Sequence, residues 1–260
     1  MNIYEIDISK SKLLAMKKSE RKFFMNFAHF HNEVNILLRC ITSTGNFKPS
    51  NDIEKHGITV QHLFFLRMLA SKLYECHRMF ESTFYKSTLA KELEDKLSNK
   101  AKKIQKELNR YFSQKNNLYV LRNKFGFHYD PGKLEEGLNC LAKEEEEKCL
   151  KMLLADNRGN SLYLFSDVAM FSAIRDSVVS NGKDSFNLSS LEKEIYRVAT
   201  LFQDFGYECL KIIAETFLMQ DRKEHDISDP PLYDDIKLPC FMIGEPIKKR
   251  EVKGKIIIKV

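Results

Sequence analysis

The sequence predicts an all-α fold: an elongated helical bundle with a small inserted β-hairpin and an irregular C-terminal tail. Three observations carry that expectation. Glycine and proline are few, 10 and 6 in 260 residues, which suits long helices better than a many-turned β architecture. Apolar residues return at three- and four-residue steps through most of the chain up to residue 220. The chain is 43% hydrophobic, with 19 Phe and no Trp, so Phe and Tyr must supply the aromatic packing of a sizeable core.

Phe23, Phe24, Phe27, Phe30, Val34, Leu37, Leu38 and Ile41 form one apolar stripe, which predicts a helix from about residue 9 to 43. Thr44 to Asn51 interrupts it. Val60, Leu63, Phe64, Leu66, Leu69, Leu73, Cys76, Met79, Phe80 and Phe84 mark a second long helix with Thr59 as its N-cap, and the two should pair. Leu89, Leu93, Leu97, Ile104, Leu108 and Phe112 continue the period, with a break at Ser98-Asn99. A short helix starts at Asn117, and Asp130-Pro131-Gly132 stops it. Leu134, Leu138 and Leu141 lead to an exposed helix end at Glu144 to Glu147. The segments Cys149 to Ala155 and Ser161 to Phe165 flank a turn-rich Asp156 to Asn160 and predict the hairpin, near 149–165. Ser166 or Asp167 then caps a helix through about Val179, and Leu191 to Phe217 marks a final long helix starting near Ser189 or Ser190.

Character changes after Gln220. Pro230, Pro231, Pro239 and Pro246 exclude a continued helix, so the chain divides into a helical domain, 1–220, and a proline-containing tail, 221–260. The last ten residues, Glu251 to Val260, suit an edge strand or a partner-binding tail. Cys40, Cys76, Cys140, Cys149, Cys209 and Cys240 show no paired spacing and read as reduced thiols, not as zinc ligands. The N-terminus is acidic where a signal peptide is basic and then apolar, and no apolar run approaches the length of a membrane span. A cytoplasmic protein without cofactor or metal is the expectation. The Gly-rich phosphate loop, the HExxH helix and the GxSxG elbow are all missing.

The stretch most charged with chemistry is Leu121-Arg122-Asn123-Lys124-Phe125-Gly126-Phe127-His128-Tyr129-Asp130. It holds a permanent cation, a side-chain amide and the side chain that titrates near neutrality, the groups that cleave an RNA phosphodiester without a metal. The net charge is +6, and Lys102, Lys103, Lys106 and Arg110 precede the motif among few acids, with Lys124 inside it; together they form a candidate phosphate track. On an ideal helix Arg122 and His128 stand about 120° apart around the axis, so one helix face does not bring both to one phosphate. Either Gly126 loosens the turn, or a second copy of the chain completes the site.

Arg122, Asn123 and His128 match the three positions of the motif of the HEPN superfamily, and with the helical pattern of residues 10 to 220 the chain resembles that family. The resemblance implies a metal-independent endoribonuclease in which the RNA's own 2′-OH attacks the adjacent phosphate. Within it Arg122 holds the phosphate, Asn123 orients the scissile group or the histidine, and His128 transfers protons. It also implies a homodimer whose two motifs face each other, and a toxin or antiphage role with an antitoxin protein as possible partner. The competing reading is a noncatalytic module that binds RNA or a protein. In that reading Arg122 makes a structural ion pair, Asn123 a helix-end hydrogen bond, and His128 packs between Phe127 and Tyr129. The other histidines carry less: His29 and His31 point to different faces, His56 falls in a loop, His62 and His77 lie too far apart on one helix, and His225 sits in a polar exit segment.

Overall fold

The computed structural model describes residues 2–126, 131–144, 150–155, 161–180 and 186–226. Its elements run β1 (Asn2–Ile8), α1 (Lys10–Ala15), α2 (Lys18–Asn46), α3 (Asp52–Met79), α4 (Thr88–Lys96), α5 (Asn99–Phe112), α6 (Asn117–Leu121), α7 (Pro131–Glu144), α8 (Leu164–Ser180), α9 (Leu188–Ile213) and β2 (Met219–Asp226). Among the described residues, π-helical turns at Phe80–Phe84, Arg122–Gly126 and Ala214–Leu218 extend α3, α6 and α9. The chain is all-α, as its periodicity predicts.

The long helices α2, α3 and α9 pack against one another around a phenylalanine cluster. Phe23, Phe27 and Phe30 on α2 meet Phe80 and Phe84 beyond α3 and Phe202 and Phe205 on α9; Phe27 and Phe80 meet edge to face at 4.9 Å. Such rings bury large areas, and their edge-on pairing adds to area burial. A polar chain also ties the three helices: Thr44 Oγ1 lies 2.8 Å from His62 Nδ1, and His62 Nε2 lies 3.2 Å from Glu192. Despite the hydroxyl–imidazole–carboxylate order, Thr44 is buried and its hydroxyl also reaches the Ile41 carbonyl of its own helix. That arrangement fastens α2 to α3 and α9.

Several boundaries differ from the sequence reading. The first helix is split at Met16-Lys17, where Met16 leaves helical geometry, and a strand precedes it. The second helix starts at Asp52, not near Val60, because Asn51 accepts from the Glu54 amide and Glu54 accepts from the Ser50 amide, closing both ends of a capping pair. His56 is therefore helical, not in a loop. Pro131 opens α7 instead of ending a helix, in keeping with proline's tolerance at a first helical position. Asn187 caps α9 at Leu188 by accepting from the Ser190 amide. Helix α8 begins at Leu164, ahead of Ser166 and Asp167. The expected hairpin near 149–165 reduces, among the described residues, to one antiparallel bridge between Leu153 and Leu162.

The two-stranded sheet instead joins the two ends of the helical region: β1 and β2 pair antiparallel, Asn2 against Asp226 through Ile8 against Met219. Its ladder carries cross-strand polar contacts, His225 Nε2 hydrogen-bonded to Glu5 at 2.6 Å and Lys223 near Asp7, while Arg222 stacks over Tyr4 at 4.3 Å. His225 is thus a strand residue. Strand β2 runs through residue 220, where the sequence changes character. Cys149, Cys240, the acidic run past Glu144 and the tail from Ile227 lie outside the described residues.

Beneath the sheet, His31 of α2 packs onto Gly206 of α9, where a Cβ would stand 1.7 Å from His31 Nε2. Burial lowers the imidazole pKa from 6.5 to about 4, and Nε2 is shielded without a hydrogen-bond partner. Between those values the unfolded chain binds a proton that the folded chain refuses. Stability is therefore intact above pH 6.5 and falls as pH drops toward 4. Replacing His31 by Leu should flatten that dependence; an unchanged slope of the urea midpoint between pH 6.5 and 4.5 would contradict it.

Candidate functional site

The candidate site grows from the end of α6. Asn116 caps this one-turn helix by accepting from the Tyr119 amide, and Asn117 donates from Nδ2 to Glu194 of α9 at 2.7 Å. The same Glu194 carboxylate accepts from Tyr111 Oη of α5 at 2.7 Å, and burial together with that carboxylate drives the phenol pKa far upward. Helices α5 and α9 thus meet at the start of α6, which packs on α3 and α8 and buries its own Leu118, Val120 and Leu121. The next residue is Arg122.

From Arg122 to Gly126 the backbone widens into a π-helical turn lying on α3. Such turns are rare and recur at functional sites. Gly126 has a specific reason for lacking a side chain: a Cβ there would stand 2.4 Å from Ser71 Oγ, and that hydroxyl is committed to the Arg67 carbonyl. The glycine serves close packing of turn on helix. Gly126→Ala should push the turn off α3 and destabilise the fold by about 1–2 kcal/mol. A melting temperature equal to wild type would show that Ser71 yields without strain.

Within the turn, Arg122 Nε donates to Glu75 of α3, and Arg122 Nη1 donates to Asn123 Oδ1 at 2.6 Å. Arg78 stands 4.0 Å from the same Glu75 carboxylate. The Arg122 side chain keeps 24% of its exposure and Glu75 41%, so the pair sits at the surface with water at hand. A guanidinium carries five N–H donors in a planar fork, and Glu75 and Asn123 engage two of them. Asn123 thus bonds to its neighbour Arg122 through its side chain. Glu75 and Arg78 also line an open hollow with Asn26, Glu81, Ser82 and Lys86.

Of the residues singled out in the sequence, the structure brings Arg122 and Asn123 together and keeps Lys124, half-buried, in the same turn. His128 lies outside the described residues. Lys102, Lys103, Lys106 and Arg110 sit on α5, whose opposite side buries Ala101, Ile104 and Leu108 against the core. These cations run along the helix toward its end, where Phe112 stacks on His77 of α3 at 4.0 Å, two residues from Glu75. Glu75 is the participant that sequence reasoning missed. It sits 47 residues from Arg122, on a helix whose local pattern marks only core positions. Among the described residues no three His, Cys, Asp or Glu side chains converge as a metal site, and no helix is long and apolar enough to cross a membrane.

Comparison with known proteins adds no relative. The chain matches no family model, no curated protein and no solved structure.

Proposed function

We propose that the chain is a metal-independent endoribonuclease of the HEPN type, with Arg122, Asn123 and His128 as its working groups. The observation that carries this reading is the oriented guanidinium of Arg122, about one-quarter exposed and held at Nε by Glu75 and at Nη1 by Asn123. A fork held in that way meets a phosphate without first losing its own rotamer freedom. In the reaction His128 takes the proton of the 2′-OH, the 2′-oxygen attacks the adjacent phosphorus, and the 5′-oxygen of the next nucleotide leaves and is protonated. The products are a 2′,3′-cyclic phosphate and a 5′-OH. Arg122 offsets the charge that gathers on the phosphate oxygens, and Asn123 holds the guanidinium in place. Lys102, Lys103, Lys106, Arg110 and Lys124 lead the strand in through its phosphates. A homodimer pairing two such turns supplies the second set of groups, and a toxin or antiphage role with a silencing antitoxin follows the same reading.

The ion pair itself favours a second reading. Glu75 already compensates Arg122, which also suits a noncatalytic module that binds RNA. The experiment that separates the two is incubation of the purified protein with RNA and with DNA of the same sequence, in EDTA. Cutting of RNA alone supports the nuclease, since DNA lacks the attacking hydroxyl. Intact RNA retained by the protein supports the binding module.

A further inference from the structure

Tyr119, Arg122, Tyr74, Glu75 and Arg78 meet where α6 and its π-helical turn lie on the end of α3. Tyr119 stands three residues before Arg122 in continuous right-handed backbone, so the two share a side, while Leu118, Val120 and Leu121 turn inward and are buried. On α3, Tyr74 and Arg78 are likewise one turn apart. Contacts between the two elements fix their register: the Tyr74 ring meets the Tyr119 ring edge to face with centres 5.6 Å apart, and Glu75 accepts from Arg122 Nε. Tyr119 nevertheless keeps 52% of its surface open, and the Arg78 side chain 56%. Both are surface groups beside the candidate site.

The two guanidiniums converge on one oxygen. Arg122 donates to Glu75 Oε1, and Arg78 Nη1 stands 4.0 Å from the same atom, so a single carboxylate holds two cations that would otherwise repel. Burial raises the pKa of the Tyr74 phenol, and the charges of Arg78 and Arg122 each oppose that rise, which sets both around one hydroxyl. The three charged groups together keep one positive unit. Beyond them the π-helical turn at Phe80–Phe84 borders an open hollow of about 590 Å³. Ser82 and Thr83 commit their hydroxyls to the Met79 carbonyl and Glu81 lies 3.4 Å from His77, so Arg78 and Lys86 are the cations that face this space.

Single-stranded nucleic acid is held by cations that meet its phosphates and by aromatic faces on which its bases stack. Both kinds of group stand here within one helical turn of Arg122, whereas the cations of α5 have no exposed aromatic ring on their own helix. The edge-on contact with Tyr74 holds the Tyr119 ring in place, so a base that stacks on it orders little that is not ordered already. In a duplex the base faces are spent on each other. An open tyrosine face therefore selects an unpaired strand.

We propose that Arg78 and Tyr119 are binding residues for single-stranded RNA, Arg78 taking a phosphate next to the one at Arg122 and Tyr119 stacking on an adjacent base. This rests on RNA as the ligand of the site and not on its cleavage. The test titrates the full chain with a 2′-O-methyl RNA strand, which cannot be cut, and with its abasic counterpart, by fluorescence anisotropy at several salt concentrations. Arg78→Gln should weaken binding and make the slope of log affinity against log salt shallower by about 0.7, the share of one phosphate on a single strand. Arg78→Lys, which keeps the charge, should recover the slope. Tyr119→Leu, apolar but without a flat ring, should weaken the base-bearing strand about tenfold with the slope unchanged. Tyr119→Phe should bind as wild type does, and the abasic strand should not distinguish the two Tyr119 variants from it. An unchanged slope in Arg78→Gln overturns the proposal, as does full affinity of Tyr119→Leu for the base-bearing strand, or a wild-type chain that binds neither strand. RNA bound in this way but left intact when its 2′-OH groups are restored removes the nuclease and keeps these contacts; RNA cut while both substitutions are silent in binding does the reverse.

Discussion

Arg122→Ala is expected to slow RNA cleavage by about 10²–10³-fold, the usual loss when one preorganised donor to a developing oxyanion is removed. The protein should remain folded. Arg122 and Glu75 form a surface pair, and exposed pairs contribute roughly 0–1 kcal/mol; freed of its partner, Glu75 turns to water and to Arg78, already 4.0 Å away. Arg122→Lys should restore little, because an ammonium cannot reach Glu75, Asn123 and a phosphate with one planar fork. His128→Ala should lose a comparable factor. Single-turnover rates beside circular dichroism melts check all three. A folded Arg122→Ala protein that cuts RNA at the wild-type rate would remove this residue from the site, and a protein that no longer folds would assign the ion pair to architecture.

Gly137→Ala is expected to destabilise the fold by about 3 kcal/mol, against the usual direction of such a change. In an open helix interior, alanine is favoured over glycine by about 1 kcal/mol. Here α7 lies against α8 so closely that the new methyl would stand 2.0 Å from the Ala169 carbonyl oxygen and 3.0 Å from the Ala173 Cβ. The first of these is backbone, which cannot swing aside, so the two helices must separate. With a Tm shift of roughly 2–4 °C per kcal/mol for a chain of this size, melting should fall by about 6–12 °C. A thermal melt at or above wild type would mean that α7 and α8 are not held at this spacing.

Much of this architecture is written locally. Phe23, Phe27, Phe30, Val34 and Ile41 are all buried on α2, and the break expected at Ser98-Asn99 separates α4 from α5, with Ser98 Oγ accepting from the Ala101 amide. Helix starts were less legible where polar turns precede the apolar stripe: α3 gains eight residues from the Asn51 and Glu54 bonds, which no hydrophobic period records. The β1–β2 sheet was not legible. Strand β2 is polar at every position after Met219 and finds its partner more than 200 residues away, so neither strand's window shows what it pairs with. The site divides in the same way. Arg122 and Asn123 are neighbours in sequence and in space, whereas Glu75 reaches them only through the packing of the π-helical turn on α3, and the Gly126–Ser71 contact that sets this packing is again long-range.

The central claim is that a fixed guanidinium and an imidazole act on one RNA linkage through its own 2′-oxygen. The most direct measurement is mass spectrometry of the fragments released from a defined RNA in EDTA, beside the same RNA bearing a single 2′-O-methyl group at the cut position. The upstream fragment should carry a 2′,3′-cyclic phosphate and the downstream one a 5′-OH, with no cut at the methylated position. Cleavage that persists through the methylated nucleotide, or fragments ending in 3′-OH and 5′-phosphate, would contradict it.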